Sequence, residues 1–141
     1  METGTQNQNP TSSTKLQSIF LAAAFVLFVL SLLWGIFAGM NLGKAKATYA
    51  NVVSIHNALE YYHSDQDAYP TAAQFDNQLI LVPLYISAMP KPVNPSGVCA
   101  GKNSFVYSQA KPSDFNLQFC LQSATAGLSK GFHVLSEKGV Q

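Results

Sequence analysis

The chain contains no arginine; its basic residues are eight lysines, spread through 141 residues. Arginine is the side chain that grips phosphate with paired hydrogen bonds. Without it, and without a clustered basic face in the sequence, no nucleic-acid partner is expected. Cysteine is almost absent. Cys99 and Cys120 are the only two, with neither CxxC nor zinc-ligand spacing. There is no GxSxG elbow, no local Cys-His signature and no glycine-rich phosphate loop. These absences read as a non-enzymatic protein with no cofactor and no metal. Proline is missing from residues 11–69, so nothing forbids one long helix there.

What is present begins with a long apolar run. Leu16 to Gly43 carries no charged side chain, and within Ile19 to Met40 only Ser31 is polar. A bilayer core needs about 20 mostly apolar residues as a helix, so this run spans a membrane. A cleaved signal would have an apolar region of roughly 7–15 residues and then a cleavage loop. Here the run is longer and continues into more helix, which favours a retained anchor. Lys15 and the N-terminal amine on one side nearly balance Lys44 and Lys46 on the other under the positive-inside rule. The cysteines favour one orientation. A lone pair in a small domain fits a disulfide in an oxidising compartment, which places the N-terminus in the cytoplasm and the head outside. The competing reading is two buried free thiols in a cytoplasmic head. The expected organisation is a disordered cytoplasmic tail over residues 1–15, a transmembrane helix over 16–43 and one small extracytoplasmic head over 44–141, nearly neutral in charge.

Beyond the anchor the helical pattern becomes one-sided. Ala45, Tyr49, Val52, Ile55 or His56, Leu59 and Tyr62 recur at spacings of three and four, a stripe on which the head can pack. Pro70 closes the helical region. Thr71 to Gln74 reads as a capping box opening a short helix. Pro83, Pro90, Pro92 and Pro95 break up the next stretch, with Leu84, Tyr85, Ile86 and Met89 expected as one apolar turn over the core. The period then changes to two. Phe115, Leu117, Phe119 and Leu121 alternate with Asn116, Gln118 and Cys120, the mark of a half-buried strand. Ser104 to Ser108 precedes it as a hairpin partner, and Gly131 to Leu135 reads as a third strand. The fold class is α+β: a long N-terminal helix, transmembrane then amphipathic, packed against a small antiparallel sheet. A hairpin tip near Lys111–Pro112 sets Phe105 opposite Leu117 or Gln118 and brings Cys99 near Cys120. Pairing them would close a loop of about 20 residues and stabilise a small head by about 3 kcal/mol.

Taken in order, these segments resemble the type IV pilin and type II secretion pseudopilin family. Tyr61-Tyr62-His-Ser-Asp-Gln-Asp-Ala-Tyr69-Pro70-Thr71 is similar to the family's tyrosine-rich exit from the long helix. Leu84 to Pro95 resembles the loop of short turns that follows. Phe105 to Tyr107, Phe115 to Phe119 and Gly131 to His133 resemble its strands, and Cys99 with Cys120 its C-terminal cysteine pair. The resemblance covers roughly residues 16–139. It implies a pilin-like fold and a structural subunit, packing helix to helix with other copies or related subunits of a type IV pilus, type II secretion or DNA-uptake apparatus. Thr14-Lys15-Leu16-Gln17-Ser18-Ile19-Phe20 stands where the family has its peptidase site. It offers no glycine, and the membrane run holds no glutamate. The chain is therefore expected to keep its tail. The second functional reading follows: an unprocessed single-span protein whose extracytoplasmic head binds a protein partner or surface ligand.

Four further groups of residues invite chemistry. Gly35, Gly39 and Gly43, extended by Ala47, form a small-residue ladder at four-residue spacing, which lets helix backbones approach closely in lipid; glycine is also simply common in membrane helices. His56, Glu60 and His63 share one helix face, but a bundle metal site needs a second such set, so a polar helix flank is the plainer reading. Asp65 and Asp67 are a fragment of a calcium loop without its other ligands. His133 alternates on a strand and reads as a surface residue.

Overall fold

The computed structural model describes residues 13–141, with side chains from Gln17 onward; residues 1–12 of the expected tail lie outside the described residues, and its last three, Ser13 to Lys15, belong to a helix. Helix α1 runs Ser13–Gln66. The chain divides into two compact units, residues 1–38 and 39–141. In the first unit every described side chain is exposed, Leu21 at 71% and Trp34 at 82% among them. The only described helix long and apolar enough to cross a membrane is this one, near the N-terminus. Apolar side chains exposed all round a helix have no core to fill; lipid is the solvent that suits them.

The second unit is the head. Its part of α1 buries Ala45, Thr48, Val52, Ile55, Ala58 and Leu59, a stripe at helical spacing. Of the two candidates at that turn, Ile55 is buried and His56 half-buried at its edge. Thr48 and Ala58 join the stripe because small side chains let loop and sheet approach the helix. Asp67 takes a left-handed φ of 55° just after the helix end, and Tyr69 and Pro70 turn inward and are buried. Helix α2, Ala72–Asn77, opens with the expected capping box between Thr71 and Gln74, which satisfies two otherwise unpaired amides. Of the apolar turn after it, Tyr85, Ile86 and Met89 lean on the core. Leu84 does not: it is 80% exposed.

Four strands form an antiparallel meander in the order β1-β2-β3-β4: β1 Val106–Ser108, β2 Asn116–Leu121, β3 Gly131–Ser136 and β4 Gly139–Val140. Phe115, Leu117, Phe119 and Leu121 are at most 3% exposed and form one core cluster with Val52, Ile55 and Leu59. The alternation of β2 therefore reports its buried face, while Asn116 and Gln118 look outward. The hairpin register differs from expectation by one or two places: Val106 pairs with Gln118 and Tyr107 with Leu117. The cause lies in the connecting loop, where the Asp114 carboxylate accepts from the Lys111 amide and Asp114 N–H returns to Lys111 C=O. That tight turn shifts the tip toward Pro112–Ser113. Strand β4 was not anticipated from the sequence. It is short, and it follows a tight turn at Gly139, whose φ of 102° suits glycine.

Candidate functional site

Three places gather the residues to which chemistry was assigned. The first is the glycine ladder. A Cβ built at Gly35, Gly39 or Gly43 meets nothing within 4 Å. Among the described residues, then, no packing demands glycine at any of these positions, and the ladder lies open for a contact with another helix.

The second is the cysteine pair. Sγ of Cys99 and Sγ of Cys120 are bonded, with 5.6 Å between the Cα atoms. Cys120 points to the outer face of β2, as its place in the alternation requires, yet it is only 6% exposed. The cover is the short 3₁₀ turn Gly97–Cys99, which the disulfide holds against β2. Hydrogen bonds tie the same segment to the rest of the head. Ser96 Oγ donates to Gln122 Oε1 and Gln122 Nε2 to Val93 C=O; Val93 N–H donates to Thr48 Oγ1 and Asn51 Nδ2 to Lys91 C=O. Residues 91–99 are thus fixed to α1 on one side and to β2 on the other.

The third surrounds Tyr69. Its hydroxyl donates to Glu60 Oε1 at 2.8 Å, its ring stacks on His63 at 4.4 Å and meets Phe115 edge-on at 4.7 Å. His56 Nδ1 stands 3.7 Å from the same Glu60 oxygen and, buried as an atom, makes no hydrogen bond. His56, Glu60 and His63 do share a face, and Tyr69 occupies the space a ligand would need between Glu60 and His63. Burial first, then the hydrogen bond to and charge of Glu60, hold the Tyr69 phenol well above the ordinary tyrosine value of 10.0. Tyr107, whose hydroxyl donates to Pro70 C=O at 2.7 Å, is likewise pushed upward, mainly by burial. Asp65 accepts from Tyr85 Oη at 3.0 Å, so one acid of the calcium-loop fragment is used as a clasp. Among the described residues no group of three or more His, Cys, Asp or Glu is placed to hold a metal ion.

His133 corrects its sequence reading. It is 9% exposed, opposite Phe119 on the core face, and its Nε2 lies 2.8 Å from Ser129 C=O. That backbone oxygen lets an imidazole be buried, and alternation alone does not reveal such a partner. A hollow of about 240 Å³ lies beside Tyr49, Val52, His56 and Val140. No protein-family model, curated protein or solved structure matches this chain.

Proposed function

We propose that this chain is a membrane-anchored, pilin-like or pseudopilin-like structural subunit, non-enzymatic, serving a type IV pilus, secretion or DNA-uptake apparatus. The observation that carries the reading is the layout of the head: the amphipathic part of a long helix, packed on a four-stranded antiparallel meander, with one disulfide tying the connecting loop to the sheet. In this reading the N-terminus is cytoplasmic and the head lies on the oxidising side, where the disulfide persists. The open ladder at Gly35, Gly39 and Gly43 is the surface through which anchors of like subunits pack. Gly39→Ile is expected to weaken self-association in membranes; unchanged association removes the ladder from the proposal.

The sequence before the anchor favours a second reading. Thr14 to Phe20 has no glycine for a prepilin cut, and the span has no glutamate to draw a neighbour's N-terminus into register. A resident single-span protein whose head binds a partner needs neither. The mass of the chain recovered from its native membrane separates the two. A chain starting near Leu16 or Gln17 has been processed for a filament. One that retains Met1 is a permanent anchor.

A further inference from the structure

The charges of the head are sorted along its length. The distal end, around Tyr69, collects acids. Glu60 binds the Tyr69 hydroxyl, Asp65 binds Tyr85, and Asp67 follows the helix end. Asp114 sits in the hairpin loop that Tyr69 N–H reaches through Pro112 C=O, and Glu137 is close enough to raise the Tyr69 pKa. Only Lys111 and Lys138 offset them there, the latter 3.8 Å from Glu137.

The proximal end is where the chain arrives from residues 39–43. Lys44 and Lys46 lie within one helical turn of Thr48, which holds Val93. From Val93 the hydrogen bonds through Gln122 and Ser96 lead to Cys99, and the disulfide leads to Cys120, which pairs with Phe132. Lys102 Nζ rests 5.5 Å over the Phe132 ring, and Lys130 precedes Gly131 at the start of β3. Of the six acids after the anchor, only Asp76 approaches this half, across a hollow from Lys91. Lys44, Lys46, Lys102 and Lys130 have no acid among them. Two apolar side chains stand out in the same place, Phe132 at 62% and Val98 at 53% exposure. Lysines beside an exposed aromatic ring and an aliphatic side chain form the pattern of a surface that meets a lipid interface.

We infer that the proximal end of the head docks on anionic phospholipid headgroups of the bilayer that holds the anchor. Lys102 and Lys130 supply the attraction, and Phe132 with Val98 the apolar contact. The inference rests on the anchor reading and on charge complementarity. The chain leaves the apolar segment at Lys44, which belongs to this end of the head, and of the acids after the anchor only Asp76 approaches it. Each lysine near an anionic surface adds about 1 kcal/mol, an attraction that falls off within a Debye length.

The full chain, placed in nanodiscs of phosphatidylcholine or of phosphatidylcholine with about a third phosphatidylglycerol, tests this by amide hydrogen exchange. Residues 97–102 and 130–133 are expected to exchange about thirtyfold more slowly in the anionic discs, the order that two lysines give. High salt should abolish the difference, and so should Lys102→Glu with Lys130→Glu. Unchanged exchange in the centre of β2 shows that the variant is folded; Phe132→Ser, at a side chain 62% exposed, should reduce the protection without the charge change. Equal exchange in the two lipids overturns the inference while leaving the anchor in place. Protection that follows the number of copies per disc also overturns it, and points instead to the acidic distal end of a second copy. A chain that enters neither disc overturns the anchor reading itself.

Discussion

The two parts of α1 are built from similar apolar residues and use them in opposite ways. From Ile19 to Met40 large side chains are exposed on every face. From Ala45 to Leu59 all but Val53, 39% exposed, gather on one stripe, and that stripe is covered by Phe115, Leu117, Phe119 and Leu121. The difference teaches that hydrophobicity alone does not make a core. A helix apolar all round asks for an apolar solvent, whereas a helix apolar along one stripe asks for a partner surface. The polar residues of the second part, Asn51, Asn57 and Glu60, are as informative as its leucines.

One substitution made twice breaks the comparison most sharply. Leu59 is fully buried, whereas Leu33 is 47% exposed. Leu59→Ala should cost the head about 2–5 kcal/mol in chemical or thermal unfolding in detergent, and Leu33→Ala within about 0.5 kcal/mol. Comparable losses would mean that the anchor part of α1 contributes to the head's core. Next comes the disulfide, which joins residues 21 apart in sequence. Cys99→Ser with Cys120→Ser should lower head stability by about 3 kcal/mol and leave helix content in the anchor, followed by circular dichroism, unchanged.

The tyrosines give a smaller and pH-dependent effect. All of them lie after the anchor, so their titration acts on the head alone. The folded pKa values of Tyr69 and Tyr107 lie above the ordinary 10.0 because burial penalises the phenolate. Their contribution is fully present below pH 10.0 and is lost as the pH climbs above it, at up to about 1.4 kcal/mol per unit for each. The melting temperature should be flat between about pH 7 and about pH 9 and then fall; Tyr69→Phe should make that fall shallower. A slope beginning near neutrality would point to other groups. The smallest effect, that of Gln118→Ala, sharpens the comparison within the sheet when it is set against Leu117→Ala. Leu117→Ala should cost about 2–5 kcal/mol, while Gln118→Ala, on the outer face, should stay within about 0.5 kcal/mol. Equal effects would place β2 in another register.

The features legible in the sequence were those that repeat. The unbroken run after Leu16, the stripe at three and four, the alternation of β2 and the spacing of Thr71 and Gln74 each state a pattern several times over. Single contacts left no such trace. The burial of His133 depends on one carbonyl at Ser129, the hairpin register on one carboxylate at Asp114, and β4 on a glycine turn followed by two residues. Leu84 is apolar in a row of apolar residues, yet of the four expected over the core it alone faces out, because the turn that carries Tyr85 and Ile86 inward leaves it on the other side. At the site level, the sequence brought Cys99 toward Cys120 and His56 toward Glu60 and His63. It did not show that Tyr69 would fill the gap between Glu60 and His63, since that depends on how the chain turns after Gln66.

The bond between Cys99 and Cys120 has a mechanical meaning as well. A chain held in a membrane by one end and pulled by the other is under tension, and the residues between its attachment points can be drawn out. Here the residues between the cysteines stand outside the line of force. Their ends are locked 5.6 Å apart, although the segment could stretch to about 70 Å if released. A pull on the chain after Cys120 therefore passes through the disulfide straight into residues 91–99 and on to Thr48 and Asn51 of α1. The head meets a load as a short, stiff coupling and withholds that length of slack.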